Sequence, residues 1–332
     1  MEQFVEKLFT QEVIENILTT FNLDHSYKKL GDFENYVFEV NEQGKPKILR
    51  ITHSSHRSKQ ELESELDWIQ HLYRCGIKIP NVLLSPEGNT VEKFTVKDSA
   101  FFASLFEKAS GHPISLEDSI FNEKLFYKWG KMIGKMHRHT KEYQPSERIV
   151  SRHHWDANDL LDFEKYYGKE ESQLLEHAKN VVQEIKQLTK SKDNYGLIHS
   201  DIHHGNFFYD GEMIHVFDFD DACYHYFVSD IAIPLYYATN SKHFIGTREE
   251  RNRFAKKFLT AFLDGYQEEN KLPREWIKKI PLFLKLRDID LYAVFNKKVA
   301  PEQRNDRVKH WMQEIKERMK KNEAIVDIEF LT

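Results

Sequence analysis

The hydrophobic pattern of this chain changes near residue 110, and that change limits the folds open to it. Before this point, short runs of alternating apolar and polar residues surround one helical segment. After it, apolar residues recur at steps of three and four over long segments, which is typical of amphipathic helices. Strand-like patterns followed by helical patterns predict an α+β protein in two parts. Residues 1–108 are expected to form an antiparallel sheet with one packed helix, and residues 109–332 a mainly helical part.

The first part contains a clear hairpin pattern. Tyr36–Val40 and Lys47–Thr52 are rich in β-forming residues and flank a turn that contains Gly44, which predicts two paired strands. Apolar residues at helical spacing predict a helix over 57–74 that ends at Cys75-Gly76. The other predicted elements are a helix over roughly 3–20, strands near 91–96 and 100–106, and a junction at Ser110-Gly111-His112-Pro113.

The second part is helical apart from one β-rich island. Helices are predicted over 122–140, 157–190 and much of 248–321, where apolar residues keep helical spacing. The island runs from Tyr195 to Asp221 and contains several glycines. It is predicted as a strand over 196–199, a loop over 200–205 and a hairpin with arms Asn206–Tyr209 and Met213–Asp218.

Composition excludes several classes of protein. With 40% hydrophobic residues, among them 24 Phe, the 332-residue chain has enough apolar surface for a sizeable core. Its 48 basic and 53 acidic side chains leave a net charge of −5, which argues against nucleic-acid binding. No apolar run approaches the roughly 18 residues of a membrane span. The two cysteines cannot form a disulfide framework, so we expect a reducing cytosol.

The island carries the residues best suited to chemistry. Asp201 lies in the predicted loop, while Asn206 and Asp218 lie toward the same open end of the predicted hairpin. A carboxylate together with an amide suits Mg²⁺, a hard ion that proteins often hold with few ligands plus substrate phosphates. A further carboxylate that does not bind the metal can accept a proton from an attacking hydroxyl. Phosphoryl transfer requires this combination of metal, positioning and an oriented nucleophile.

These residues also resemble a known family. His199-x-Asp201-x4-Asn206, followed by Asp218-Phe219-Asp220, is similar to the catalytic and metal loops of the aminoglycoside phosphotransferase/choline kinase family, which are relatives of the protein kinases. The resemblance implies a bilobal protein-kinase-like fold and transfer of the γ-phosphoryl group of ATP or GTP to a hydroxyl, with Mg²⁺. It assigns Asp201 as catalytic base, Asn206 and Asp218 as Mg²⁺ ligands, His199 as structural support, and Asp220 as a second-metal carboxylate or a support for the metal ligands.

Three further positions bear on this resemblance. Ser200 stands where the family usually has Gly, and His204 where it frequently has Pro. Asp230-Ile231-Ala232 is similar to the Asp-Leu-Ala that follows the metal loop in these enzymes. The three functional residue types are therefore intact in spite of two substitutions.

A kinase also needs a cation on a strand for the α- and β-phosphates and an acid on a helix to hold that cation. Arg50 lies in the predicted strand, and Glu65 lies on the apolar stripe of the helix over 57–74, where a carboxylate requires a cationic partner. Lys47 is the alternative candidate for the cation, and Glu61 is the alternative candidate for the acid. The family mostly has Lys at this strand position, although some branches read Leu-Arg-Ile as here.

The remaining nucleotide contacts are assigned by position in the family. Gly31 to Asn35 resembles a Gly-x-x-x-Asn turn that covers the phosphates, although no Gly-x-Gly-x-x-Gly is present. Glu107 to Ala109 occupies the place of the hinge, where backbone groups would meet the adenine or guanine ring.

The acceptor is expected to be a small molecule with a hydroxyl group, such as an aminoglycoside, amino alcohol, hydroxy amino acid or sugar. An acidic stretch over 156–171 favours a cationic acceptor, whereas Arg287 on a predicted helix favours a carboxylate, so the two signals conflict. Aromatic residues at Tyr224, Tyr226, Phe227, Tyr236 and Tyr237 offer either a cage for a quaternary ammonium or an ordinary core.

Three other functions stay open at this point. A kinase-like binding or regulatory protein without turnover fits the Arg50 substitution, and a protein Ser/Thr kinase fits the same motifs. A metallohydrolase fits the composition of one histidine-rich set, since imidazole suits Zn or Fe. That set consists of His199, Asp201, His203, His204 and His215.

Overall fold

The computed structural model describes residues 2–168, 171–240 and 247–329. It divides into two compact units. The first comprises residues 1–112, 143–152 and 208–220, and the second comprises 113–142, 153–207 and 221–332. The predicted boundary at residue 108 lies close to the end of the first segment, but the sequence did not predict that 143–152 and 208–220 join the first unit.

The first unit is built on an antiparallel sheet. Its strands are β1 (Tyr27–Gly31), β2 (Asn35–Glu42), β3 (Lys45–His53), β4 (Val82–Leu83), β5 (Glu92–Val96) and β6 (Ser99–Glu107). They follow the order β1-β2-β3-β6-β4, and β5 also pairs with β6. The α+β class is confirmed, and β3 is the central strand, with Arg50 opposite Val37 on one side and Ser104 on the other.

Two helices precede the sheet where the sequence predicts one. They are α1 (Gln3–Leu8) and α2 (Gln11–Thr20). The side chain of Thr10 accepts a hydrogen bond from the Val13 backbone N–H, so Thr10 starts a new helix instead of continuing the first. Phe9, between the two helices, stacks on Tyr36 with ring centroids 4.1 Å apart. The break thus places an aromatic side chain against the sheet.

Helix α3 (Lys59–Arg74) agrees with its prediction within two residues. Ser58 and Glu61 form a reciprocal capping box, and the helix ends before Gly76, whose φ is +77°. The buried face includes Leu62, Glu65 and Trp68, whereas Tyr73 is exposed. The hairpin of β8 (Phe207–Tyr209) and β9 (Ile214–Val216) is shorter than predicted.

The second unit is mainly helical. Its long helices are α4 (Glu123–Thr140), α6 (Ser172–Lys186), α7 (Ser229–Thr239), α8 (Arg248–Glu269), α10 (Ile280–Lys298) and α11 (Asp306–Lys321), with short helices α5 (Phe163–Tyr166) and α9 (Arg274–Ile277). Strands β7 (Tyr195–Ile198) and β10 (Cys223–Tyr226) form an antiparallel pair. Among the described residues, no helix is both long and apolar enough to cross a membrane.

The predicted helix over 157–190 is wrong in its first half. Residues 155–157 and 159–161 form 3₁₀ turns, α5 covers one turn, and only α6 is a long helix. The Asn158 side chain accepts a hydrogen bond from the Leu160 backbone N–H, which starts a separate short turn. Local capping by a polar side chain therefore interrupts a pattern that is otherwise helical.

Candidate active site

The predicted site residues fall into both units. In the first unit, Arg50 of β3 and Glu65 of α3 form a bidentate ion pair, as the sequence predicts. Arg50 Nη1 donates to Glu65 Oε1 at 2.7 Å and Nη2 donates to Oε2 at 2.8 Å. The side chains are 8% and 1% exposed, so the two charges compensate each other inside the unit. Burial lowers the Arg50 pKa, but the Glu65 carboxylate outweighs burial and raises this pKa above its usual range.

The two substitute residues make other contacts. Lys47 Nζ lies 3.8 Å from Glu42 on the neighbouring strand. Glu61 closes the capping box at the start of α3, where its carboxylate accepts from the Ser58 backbone and hydroxyl at 2.8 Å each. Arg50 and Glu65 are therefore the pair that the fold of this unit brings together.

The segment 217–220 follows β9 and also belongs to the first unit. Asp218 is exposed and has a φ of +66°, a left-handed conformation that is uncommon for a residue other than glycine. The next residue, Phe219, is buried, and its ring meets Trp68 of α3 edge to face at 5.4 Å. The anchored phenylalanine and the left-handed backbone together present the Asp218 carboxylate at the surface of the unit.

Asp220 is held by the side chains of basic residues. Its Oδ2 contacts His56 Nε2 at 2.7 Å and Arg57 Nη2 at 3.2 Å, and its backbone carbonyl accepts from Arg152 Nη2 at 2.6 Å. Burial raises the Asp220 pKa, but Arg57 and His56 outweigh burial and hold it well below its usual range. Its other carboxylate oxygen, Oδ1, is buried without a hydrogen-bond partner. Asp220 is thus an ionised anchor with one oxygen left to accept a ligand.

Four predicted nucleotide contacts also lie in the first unit. Gly31 ends β1 next to an irregularity in the β1–β2 register, and Asn35 begins β2, where its side chain accepts a hydrogen bond from Thr52 at 2.6 Å. Glu107 ends β6, and its backbone N–H donates to the Asn81 carbonyl at 2.9 Å. Ala109 follows the strand and is partly exposed.

In the second unit, Asp230 fixes the loop that contains Asp201. One carboxylate oxygen of Asp230 accepts from the His199 backbone N–H and the other from the Ser200 backbone N–H, each at 2.9 Å. Asp230 is fully buried and also contacts the buried His137 at 3.2 Å. Ser200 has a φ of +66°, which explains why glycine is the usual residue at this place in the family. The motif around Asp230 was visible in the sequence, but its role in holding the loop was not.

The Asp201 carboxylate is fixed by three side chains of the second unit. Arg287 Nη2 donates to Oδ1, Asn206 Nδ2 donates to Oδ2 at 3.2 Å, and His203 Nε2 lies 3.4 Å from Oδ2. Burial raises the Asp201 pKa, but Arg287 and His203 outweigh burial and lower the pKa to about 2. Asp201 is therefore ionised near neutral pH and has a defined orientation.

Asn206 has an amide oxygen that these contacts do not use. Its Nδ2 donates to the Asp201 backbone carbonyl at 2.8 Å as well as to the Asp201 carboxylate. With the nitrogen engaged by two acceptors, Oδ1 is the atom left as an oxygen ligand. Asp218 and Asp220 of the first unit and Asn206 of the second carry carboxylate and amide oxygens, which are residue types that fit Mg²⁺ or Ca²⁺.

The structure also shows what surrounds the acidic stretch and the aromatic residues that the sequence offered as acceptor-binding features. In the acidic stretch, Asp159 pairs with Lys165 and Lys297, and Glu171 pairs with Lys316. Glu170 and Lys169 lie outside the described residues. Tyr226, Phe227 and Tyr236 are fully buried, so these three rings are core residues and do not form a cage.

The histidine-rich set does not form a metal cluster in the part of the chain that the structure describes. There, the one group of three or more potential metal-ligating side chains within 4.8 Å of one another is Glu34, His56 and Asp220. Among the described residues, the five members of the histidine-rich set do not gather around one point, so this set gives a metallohydrolase no support.

Comparison with known proteins agrees with this geometry. A model of the phosphotransferase enzyme family, APH, matches residues 27–272. Amicoumacin kinase of Bacillus subtilis (strain 168) is 36% identical over 297 residues, which cover 88% of this chain and 87% of the relative. The solved structure of amicoumacin kinase hAmiN in complex with AMP-PNP, Ca²⁺ and Ami is 32% identical, covers 99% of both chains and has a TM-score of 0.93.

A more distant structure shows the same fold. The microcompartment-associated aminopropanol kinase is 21% identical, with a TM-score of 0.77 and coverage of 97% of this chain and 100% of its own. The family match covers well over half of the 332 residues. The chain therefore belongs to the phosphotransferase enzyme family and is an ATP-dependent small-molecule kinase that acts on a hydroxyl group.

Proposed function

We propose that this protein transfers the γ-phosphoryl group of ATP to a hydroxyl group of amicoumacin or a chemically similar small molecule, with Mg²⁺. The acceptor is proposed from two relatives above 30% identity, an amicoumacin kinase and a solved amicoumacin kinase complex. The Ca²⁺ and AMP-PNP in that complex support a divalent ion and an adenine nucleotide. Mg²⁺ is proposed as the working ion because it is the usual partner of nucleotide phosphates.

One observation carries the proposal. The ionised Asp201 is held in a fixed orientation beside Asn206, whose amide oxygen is not used by the hydrogen bonds to Asp201. Asp201 accepts the hydrogen bond of the acceptor hydroxyl, orients its oxygen and receives its proton as transfer proceeds. An aspartate with a pKa of about 2 is a weak base, so orientation is its main contribution. Arg287 and Asn206 maintain that orientation.

The other predicted residues keep the roles that the resemblance gives them. Asn206 and Asp218 are the proposed metal ligands, and Asp220 is either a further ligand or an anchor for the segment that carries Asp218. When bound, the ion neutralises charge on the phosphates. Arg50, held by Glu65, is proposed to contact the α- and β-phosphates. An arginine grips phosphate with a planar fork and not with a point charge, so its geometry differs from that of the lysine common in the family.

The remaining contacts and the compartment are also proposals. Gly31 to Asn35 is proposed to cover the phosphates, and Glu107 to Ala109 to meet the adenine ring. Cys75, which is partly buried, and Cys223, which is buried, form no disulfide, which suits a reducing cytosol that also supplies ATP.

An acceptor screen tests the function. The full-length protein is incubated with ATP and either Mg²⁺, Ca²⁺ or EDTA, and each acceptor is analysed by mass spectrometry for the gain of one phosphoryl group. The panel contains amicoumacin, an aminoglycoside, an amino alcohol, a hydroxy amino acid and a sugar. We expect phosphorylated amicoumacin with Mg²⁺ and none with EDTA. A parallel reaction contains labelled ATP and protein substrates. Label on those proteins, with no small molecule modified, would point instead to a protein kinase.

A further inference from the structure

Arg287 is a charged residue whose partners in the structure differ from those suggested by the sequence. It lies in the middle of α10, and its Nη2 contacts two groups, Asp201 Oδ1 and the hydroxyl of Tyr237 at 2.5 Å. Its side chain is 16% exposed, and its guanidinium carbon lies 5.0 Å from the centre of the Tyr237 ring. The sequence left Arg287 as a candidate anchor for a substrate carboxylate, but a carboxylate of the protein already takes that place.

Counting hydrogen bonds at Asp201 shows what Arg287 does there. An ionised carboxylate has about four lone-pair positions. Arg287 takes one on Oδ1, and on Oδ2 Asn206 donates at 3.2 Å while His203 lies at 3.4 Å. The lone pair that stays available lies on Oδ1, the oxygen that Arg287 holds. An acceptor hydroxyl bonded there would lie next to the guanidinium group.

Arg287 is in turn held by Tyr237. Tyr237 lies under the guanidinium plane, accepts its hydrogen bond and packs against the His203 ring at 4.6 Å. Asp290, one turn further along α10, interacts electrostatically with Arg287. The Asp201 carboxylate therefore compensates the positive charge of the arginine before any acceptor binds, and Tyr237 holds the guanidinium group in place.

We infer that Arg287 is a positioning residue, which fixes the Oδ1 side of the Asp201 carboxylate for phosphoryl transfer while Tyr237 holds the arginine in place, and that it does not anchor an acidic acceptor. The inference rests on the proposed function of Asp201 as the residue that orients the acceptor hydroxyl. Arg287 acts through Asp201, so its removal lowers the rate of transfer more than it lowers the affinity for acceptor or nucleotide. Acceptors without a carboxylate depend on it as much as acceptors with one.

The test compares Arg287→Gln, Arg287→Lys and Tyr237→Phe with the wild type in the full-length protein. We measure kcat and KM for amicoumacin and for ATP, the slow hydrolysis of ATP in the absence of acceptor, and the melting temperature. Arg287→Gln is expected to lower kcat about 100-fold, the cost of a misplaced reacting group, with the ATP KM changed little. Arg287→Lys keeps the charge but loses the fork, so it is expected to restore part of kcat.

Controls separate positioning from loss of structure or charge. Lys285→Gln removes a positive charge two residues away on the same helix, where Lys285 bonds to Asn322, and is expected to leave kcat unchanged. The inference is contradicted if Arg287→Gln raises the amicoumacin KM at constant kcat, or if its kcat equals that of the wild type. A wild-type protein that binds ATP but neither phosphorylates an acceptor nor hydrolyses ATP contradicts the proposed function itself, and the inference falls with it.

Discussion

Each unit contains an acidic site residue that is held by an arginine. Glu65 binds Arg50 with two hydrogen bonds, and Asp201 binds Arg287. A buried carboxylate without a cation would be costly, since desolvation of an ion exceeds most single interactions in a protein. In each pair the cation therefore offsets the cost of burying the carboxylate, and the Asp201 carboxylate is ionised near neutral pH.

Breaking the first pair is expected to destabilise the protein. In Glu65→Gln the charge of Arg50 stays buried without compensation, so the free energy of unfolding should fall by about 3 kcal/mol. Glu63→Gln is the matched control, because Glu63 pairs with Lys59 at 3.5 Å on the surface of the same helix, and its loss should stay below about 1 kcal/mol. Urea unfolding followed by circular dichroism measures both. Equal losses in the two variants would argue against a compensated buried pair.

The two arginine pairs also show what a sequence can and cannot reveal. Arg50 and Glu65 were predictable as a pair, because a carboxylate within the apolar stripe of a helix requires a cation and a neighbouring strand offers one. The partner of Arg287 was not predictable. It lies 86 residues away, and the contact depends on how α10 packs beside the loop of Asp201. Local periodicity carries no information about such packing.

At the scale of elements, the second unit depends on a close approach of α4 and α8. A Cβ atom on Gly130 would lie 1.9 Å from the Phe262 carbonyl oxygen, and one on Gly265 would lie 2.0 Å from the Tyr127 carbonyl oxygen. The obstructing atoms are backbone, which cannot move aside without displacing a helix. The two glycines thus fix the distance between these helices.

Gly130→Ala is therefore expected to cost about 3 kcal/mol or more of stability, at or above the upper end of ordinary overpacking. Gly168→Ala is the control in the same unit, because a Cβ there would meet Glu171 at an ordinary 3.7 Å. Its effect should remain within about 1 kcal/mol. Thermal and urea unfolding of the two variants provide the comparison. Wild-type stability in Gly130→Ala would mean that the helices are not packed as closely as described.

The sequence predicted most elements, and its errors have local causes. The hairpin of β2 and β3 and helix α3 were correct because turn chemistry, capping and periodicity agree there. The segment 3–20 was predicted as one helix but contains two, since Thr10 caps the second. A single capping residue inside an amphipathic pattern is easily read as part of that pattern.

At the scale of the whole molecule, the chain passes between its two units several times. Segments 143–152 and 208–220 belong to the first unit although they follow residue 112. The sequence predicted one boundary near residue 108, because the change from strand to helix patterns is a local signal. Contacts such as Arg152 with the Asp220 carbonyl connect distant segments of the first unit and leave no such signal.

Stability should depend on pH through a buried histidine of the second unit. His225 is 5% exposed and stacks on Trp155 at 4.9 Å, and burial lowers its pKa from 6.5 to about 3. The unfolded chain takes up a proton below pH 6.5, whereas the folded protein does so only near pH 3. The free energy of unfolding therefore decreases as the pH is lowered through this window, by about 2 kcal/mol between pH 6.5 and pH 5.

His225→Phe removes this dependence. When the pH is lowered from 7 to 5, the free energy of unfolding of the variant is expected to fall by about 2 kcal/mol less than that of the wild type. Urea unfolding at each pH measures both. His310→Gln, at an exposed position of α11, is the control for the loss of a histidine. Parallel pH profiles for His225→Phe and the wild type would show that His225 is not the group responsible.

The most direct test of the account compares Asp201→Asn with Asp218→Ala in amicoumacin phosphorylation and in the Mg²⁺-dependent binding of a fluorescent ATP analogue. Asp201→Asn should lower kcat about 1,000-fold, within the range for loss of a general base, and leave nucleotide affinity intact. Asp218→Ala should abolish the Mg²⁺ dependence of binding. Asp193→Asn, an exposed carboxylate of the second unit, should behave like the wild type. Equal loss of nucleotide affinity in both variants, or wild-type turnover in Asp201→Asn, would contradict the account.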